Sequence, residues 1–393
     1  MEFLPFAILA IFIALAPIVS GITKIPIVVV EMLLGALVTY FNLSPNMPSV
    51  QHTAEIGFLI LMFLCGLEVD LKTFATLTKS LLRRVLMYFC LLYGISISLV
   101  IYFKLSPIYI ATFPIMGVGM IMTLVREYGK EQPWLNLALR VAVLGELLSI
   151  CVLVVLNGAY TYGLSQELYQ TLGVLVLFLL FTALVFKCFK ILFWWFPFLK
   201  VIIIPNQEGE TRDLRFGAML FFILISIVHL LDLEVVLGAF IAGMIISTFF
   251  GSNRQLHEKL NFIGFGFFVP FFFVYVGTTL DLKALFADPK IIKQALYILG
   301  TMIAIRSVSA WIAFRSYFNN AKHLVLYALS DAMPLTFLVA TATLGLNLEI
   351  ITHQTYYAFV LAAMIEGISF MILIKLIFYF WKQPTTAKRP IDN

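Results

Sequence analysis

Among the ionisable residues within the long apolar runs of this 393-residue sequence, five stand out: Glu31, Glu146, Arg306, Asp331 and Glu366. A charged side chain within a membrane span is costly, and by default it marks an ion or proton path. Glu146 stands in Val141-Ala-Val-Leu-Gly-Glu-Leu-Leu-Ser149-Ile150, with no basic residue within this stretch. A lone carboxyl group there is suited to hold either a proton or a cation. Ser149, one helical turn on, is placed to share the cation. Arg306 keeps its charge in proteins and so cannot carry protons. It suits a permanent counter-charge for Glu146, Asp331 or Glu366, or an offset for facing dipole ends of broken helices. Asp331, in Ser330-Asp-Ala-Met-Pro334, is expected to line a cavity or to cap a half-helix. Glu366 is a candidate for supporting the site or for a structural pair. Glu31, in the same run as Gly35, reads as an interface or gate residue.

The elements that carry these residues are apolar. Hydrophobic residues make up 62% of the chain and charged ones 12%, and mean hydropathy is +1.02. A soluble domain averages about 25% charged residues, so soluble enzymes and nucleic-acid binders are excluded. A spanning helix needs about 20 mostly apolar residues. Thirteen runs qualify: 3–21, 25–41, 54–70, 84–103, 107–125, 137–157, 170–196, 215–232, 235–250, 260–280, 290–314, 322–345 and 355–380. The first basic residue, Lys24, follows the first run, which is therefore expected to remain as an uncleaved helix.

Basic residues favour the cytoplasmic side of short loops. With thirteen spans and the N-terminus outside, nineteen of the 26 Lys and Arg residues fall inside and four outside: Lys104, Lys283, Lys290 and Lys293. The expected placement is a bacterial inner membrane, multi-pass, with a cytoplasmic C-terminus. Four cysteines lie far apart, in neither metal-ligand nor disulfide spacing. The five histidines sit in loops or near span ends, which argues against an intramembrane enzyme.

An internal repeat runs through the spans. The end of span three reads Gly66-Leu-Glu-Val-Asp70-Leu-Lys72, and the end of span ten reads Gly277-Thr-Thr-Leu-Asp281-Leu-Lys283. Gly35 in span two pairs with Gly243 in span nine, and Gly145-Glu146 in span six with Glu366-Gly367 in span thirteen. An odd number of spans separates each element from its copy, so the second half enters the membrane inverted. Inverted repeats characterise many secondary transporters, whose ion sites lie near the midplane where discontinuous helices meet. Pro114-Ile-Met-Gly117-Val-Gly119 in span five and Ser330–Pro334 in span twelve are the expected breaks, with Gly117, Gly119 and Ser330 supplying broken-helix backbone. The expected fold is all-α with thirteen transmembrane helices in a single transporter domain. Repeat one covers 1–158, a linker helix 165–200, repeat two 212–381, and a short tail 382–393.

The motifs Pro26-x4-Glu31-x3-Gly35, Phe63-Leu-Cys-Gly66-Leu-Glu68-Val-Asp70-Leu71, Leu237-Gly238-Ala-Phe-Ile-Ala-Gly243 and Phe271-Phe-Phe-Val-Tyr-Val-Gly277 together resemble the cation:proton antiporter superfamily, the sodium/proton exchangers and Kef-type antiporters. The resemblance implies the sodium/proton antiporter fold, ion binding at Glu146, a basic residue of span eleven at Arg306, crossed unwound segments in spans five and twelve, a homodimer, and elevator motion against a dimerisation domain. The chain departs from the family at span six, where Gly145-Glu146 replaces an Asp preceded by Asp, Asn or Gln. It departs again at the span-five break, where Met116–Met120 replaces Thr-Asp and leaves only backbone carbonyls.

The implied function is monovalent cation/proton antiport, with Na⁺ favoured and K⁺ as the alternative; a sodium-coupled organic-solute symporter is the remoter one. One carboxylate holding one ion at a time predicts electroneutral one-for-one exchange, with Asp331 the candidate if a second proton moves. Glu146 would be the residue that binds Na⁺ or K⁺. No cofactor is expected beyond the transported cation and proton, and no nucleic acid; the partners are the lipid bilayer and a second copy of the chain.

Overall fold

The computed structural model describes the chain apart from residues 1–3, 24, 42–47, 70–77, 130, 164–165, 197, 199–210, 234, 252–253, 281, 284–287, 319 and 382–393. The terminal tail, most of the linker beyond Trp195, and Asp70, Lys72 and Asp281 of the repeated motif lie outside the described residues. A bilayer offers no partner for a free backbone group, so apolar runs satisfy their own amides as helices. The order is α1 (Leu4–Thr23), α2 (Ile27–Tyr40), α3 (Pro48–Leu67), α4 (Lys79–Phe103), α5 (Ile108–Thr112), α6 (Val118–Tyr128), α7 (Pro133–Tyr162), α8 (Gln166–Trp195), α9 (Arg212–Leu230), α10 (Val235–Phe250), α11 (Arg254–Ile263), α12 (Val269–Thr278), α13 (Pro289–Phe314), α14 (Ala321–Asp331), α15 (Leu335–Asn347) and α16 (His353–Phe380). A single π-helical turn, Gly264–Phe268, joins α11 to α12.

Among the described residues, ten helices are long and apolar enough to cross a membrane, with α14 and α15 forming one such segment; α2 and α10 are shorter apolar helices. The chain is an all-helical, multi-pass membrane protein. Several helices outrun their apolar runs, because caps and polar first turns belong to the helix but not to the hydrophobic stretch. Thus α4 begins at Lys79, α7 begins with Pro133 in its first turn, and Asp288 caps α13 by accepting from the Lys290 N–H at 3.0 Å.

Two interruptions matter most. Pro114 has no N–H and cannot continue the α5 ladder; the chain turns at Phe113, runs extended to Gly117, and starts α6 at Val118. Pro334 likewise separates α14 from α15. Gly117 is extended (φ −148°, ψ 137°), and a Cβ on it would lie 3.4 Å from Pro334 Cα. The two breaks therefore pack on each other. Two expectations need correction here. Gly119 lies in the first turn of α6 and Ser330 in the last turn of α14, so both flank the unwound stretches instead of forming them. The Ser330 hydroxyl is spent on the Tyr327 carbonyl at 2.8 Å.

The helices sort into two bundles. In one, α10 packs on α3 and α9, and α12 on α2 and α3; in the other, α4, α13, α14, α15, α16 and α7 pack around the breaks. Without a hydrophobic drive between helices in lipid, close approach of backbones is what joins them. Gly35 and Gly277 meet across α2 and α12, where a Cβ on either would collide with a carbonyl of the other helix. Gly66 and Gly243 meet in the same way across α3 and α10. Between the bundles, α2 touches α16, with Val29 over Gly367.

Candidate ion-binding site

Arg306 is wholly buried at the centre of the second bundle. The last carbonyls of a helix have no partner within it and carry the negative end of its dipole. The guanidinium supplies those partners to the interrupted α5. Nη1 donates to the Phe113 carbonyl at 2.6 Å and to Met302 O at 3.4 Å, and Nη2 donates to the Ile115 carbonyl. On its other side Nε donates to the Asp331 carbonyl at 3.1 Å and lies 3.5 Å from Asp331 Oδ2. Arg306 thus joins both breaks. Of the three acids that sequence alone left open as its partner, Asp331 is the one in ion-pair contact, and the offset of a half-helix dipole is met by the same side chain.

Asp331 Oδ2 also accepts from the Tyr88 hydroxyl at 2.6 Å. Tyr88 is buried on α4 among the rings of Tyr327 and Phe314. Nothing in an apolar run marks one tyrosine out, and the sequence reading missed it. Oδ2 of Asp331 thus ties α4, α13 and α14 together, while Oδ1 has no hydrogen-bond partner among the described residues.

Glu146 is 0% exposed on α7, and neither of its carboxylate oxygens has a hydrogen-bond partner among the described residues. Its polar neighbours are the Cys65 thiol on α3, the Val118 N–H at the start of α6 and the Glu68 carboxylate. It therefore lies where the two bundles face each other. The break turns an N–H towards it, while two carbonyls of the break, Phe113 and Ile115, are occupied by Arg306. The start of α6 thus presents a half-helix N-terminus to Glu146, which favours negative charge.

Ser149 clips α7 to the break. Its Oγ accepts from the Met116 N–H at 3.2 Å and donates to the Gly145 carbonyl at 2.7 Å. It sits beside Glu146 with its proton committed and an acceptor lone pair left over. The Met116 side chain fills the space above Gly145, where a Cβ would strike its sulfur. A side chain on Gly145 would have to displace Met116.

A cavity of about 440 Å³ opens between the bundles at the end carrying Gln51, Glu55 and Asn347, and narrows past Tyr275 and Thr343 to Leu153 and Ile150. Ile150 is one turn from Glu146 on the same helix face, so the cavity approaches that carboxyl group. Glu366 on α16 is equally buried and equally without a partner on either oxygen among the described residues, yet it does not line this cavity. Glu31 is buried on α2, near the bundle contact.

Interrupted helices that meet inside a membrane bundle are the architecture of secondary transporters. The chain belongs to the sodium/hydrogen exchanger transmembrane family, whose model matches residues 8–378. YjbQ of Bacillus subtilis (strain 168), named for Na(+)/H(+) antiport, is 26% identical over 388 residues, which cover 93% of this chain and 61% of YjbQ. The chain therefore spans less than two thirds of that relative. Na(+)/H(+) antiporter 3 of Methanocaldococcus jannaschii is 26% identical over 370 residues, covering 90% of this chain and 91% of the relative. The solved structure of the sodium proton antiporter MjNhaP1 from the same organism aligns with a TM-score of 0.61 at 14% identity, over 95% of this chain and 97% of that one. At that identity the likeness speaks to the fold.

Proposed function

We propose that this protein is a secondary-active monovalent cation/proton antiporter, with Na⁺ as the first candidate cation, and that Glu146 carries the ions in alternation. One observation carries the reading: a fully buried carboxyl group with two unsatisfied oxygens lies one helical turn beyond the end of a cavity. An ionised carboxylate away from water is strongly unfavourable unless something compensates it. The Val118 N–H and the Cys65 thiol beside it bring no full positive charge, so a proton or a cation completes the compensation. What separates Glu146 from Glu366, which has the same lack of partners, is that Ile150, one turn from Glu146, lines this cavity.

In the proposed cycle the cation binds the Glu146 carboxylate from the cytoplasmic side, with the free lone pair of Ser149 and water as further ligands. The second bundle then slides past the first in elevator fashion, the cation leaves through the cavity, and a proton replaces it. One carboxyl group exchanging one cation for one proton makes the cycle electroneutral. Asp331, tied to Arg306 and Tyr88, acts as support. Glu31 and Glu366 support or gate the bundle contact.

The finer architecture follows the same reading: thirteen spans, two inverted repeats at 1–158 and 212–381 around a linker helix at 165–200, an outward N-terminus in a bacterial inner membrane, and a homodimer serving pH homeostasis. The pairing of Gly35 with Gly277 and of Gly66 with Gly243 supports the repeat, since the two contacts exchange under it.

The test is collapse of an imposed pH gradient in proteoliposomes on adding Na⁺, Li⁺ or K⁺. Cation-dependent proton movement that is absent in Glu146→Gln supports the reading and names the ion. Proton movement with none of the three cations would overturn it.

A further inference from the structure

A pair of adjoining cavities opens on the second bundle, and Glu146 lines neither. The larger, about 450 Å³, lies between α4 and α13 over Ile95, Leu99, Gly300 and Val308. The smaller, about 290 Å³, continues it towards the start of α13, where Lys290, Lys293 and Gln294 line it. Both share Leu105, Phe113 and Tyr297, so they form one groove with an apolar length and a basic end.

We propose that this groove binds an anionic phospholipid of the surrounding bilayer, its phosphate held by Lys290 and Lys293 and one acyl chain lying over Gly300 to reach Phe113. The apolar length carries the exposed Phe103, Leu296 and Val308, and its floor is open, because a Cβ on Gly300 would meet nothing within 4 Å. The basic end is complementary to a phosphate. Both lysines are exposed, and neither ammonium pairs with an acid among the described residues. Basic pockets between spans are a known means of holding lipid headgroups. Lys104, which ends α4 in a left-handed turn (φ 52°) next to Leu105, adds a third positive charge at the same rim. Of the four basic residues assigned to the outer side, three gather here, against the general scarcity of such residues on that side. Tyr297 and the Tyr109–Gln294 pair, 3.1 Å apart, supply the amphipathic and hydrogen-bonding groups usual at headgroup depth.

The site reaches the transport machinery through one residue. Phe113 walls the groove, and its carbonyl is the acceptor 2.6 Å from Arg306 Nη1. A chain seated against the Phe113 ring stabilises the first break in its Arg306-bound form. The inference goes beyond the antiport reading and does not depend on which ion moves or on Glu146.

The experiment measures the thermal unfolding midpoint of the purified full-length protein in detergent, with phosphatidylglycerol, phosphatidylcholine or free glycerol phosphate added. Phosphatidylglycerol is expected to raise the wild-type midpoint and the other two are not. Lys290→Gln/Lys293→Gln is expected to lose more than half of that shift. Gly300→Phe, which fills the groove with a ring where space exists, is expected to lose it while keeping the lipid-free midpoint. Equal shifts with both lipids, a shift with glycerol phosphate alone, or a full shift in both variants would overturn the proposal.

Discussion

Arg306 and Asp331 form a fully buried ion pair, Nε to Oδ2 at 3.5 Å, and the same guanidinium holds the carbonyls at the other helix break. Each break alone would strand backbone groups in a medium without water. Together they share one cation. Removing one partner of a buried pair typically costs about 3–5 kcal/mol, because the other charge is left uncompensated. Arg306→Ala is therefore expected to lower the unfolding midpoint sharply, and Arg306→Lys to recover little, since a point charge cannot reproduce the planar fork. Thermal unfolding of the three proteins in one detergent checks the order.

Tyr88→Phe removes a single hydroxyl, the donor at 2.6 Å to Asp331. Leaving a charged acceptor short of a buried hydrogen bond costs about 1–3 kcal/mol. The variant should be less stable than wild type but retain exchange, because Tyr88 touches Asp331 and not the cavity. Loss of transport with unchanged stability would contradict the role given to Asp331.

Glu146→Gln should fold normally and transport nothing, since the neutral amide replaces a group with no ionic partner to lose. Ser149→Ala should weaken transport while costing about 1 kcal/mol of stability, through the hydrogen bond to the Met116 N–H. Wild-type flux should not respond to an imposed membrane potential; a charge crossing 100 mV is worth about 2.3 kcal/mol, so a net charge per cycle would be plain in a voltage-clamped vesicle assay.

Two glycines should behave oppositely. Gly277→Leu puts a side chain into the Met32 carbonyl of α2 and is expected to abolish folded protein. Gly119 is helical and faces open space, so Gly119→Ala should be neutral or stabilise by up to about 1 kcal/mol through reduced backbone freedom in the unfolded chain. Size-exclusion profiles and unfolding midpoints distinguish the two.

Gly145→Asn puts a side chain into the space that Met116 fills. The single variant should lose both stability and exchange. Adding Met116→Ala should restore part of each, because the obstruction is one flexible side chain. If Gly145→Asn were neutral by itself, Met116 would not obstruct a side chain there.

Much of this protein is written locally. Hydropathy, the place of each charge and the proline at each break are properties of short stretches, and a bilayer converts them into helices with few alternatives because no backbone group can go unpaired. The residues Glu146, Arg306, Asp331 and Glu366 were legible for that reason, as were the two interruptions and the glycines of the family motifs. What the tertiary structure decided depends on chain positions far apart. Arg306 reaches Phe113 and Ile115 across more than 190 residues of sequence, and no local pattern says that those carbonyls would be used there and not at a cation. Tyr88 on Asp331, Met116 over Gly145 and the groove from Lys290 to Phe113 arise in the same way. Each joins residues whose spacing along the chain carries no period, and it exists because of how the helices of the second bundle pack.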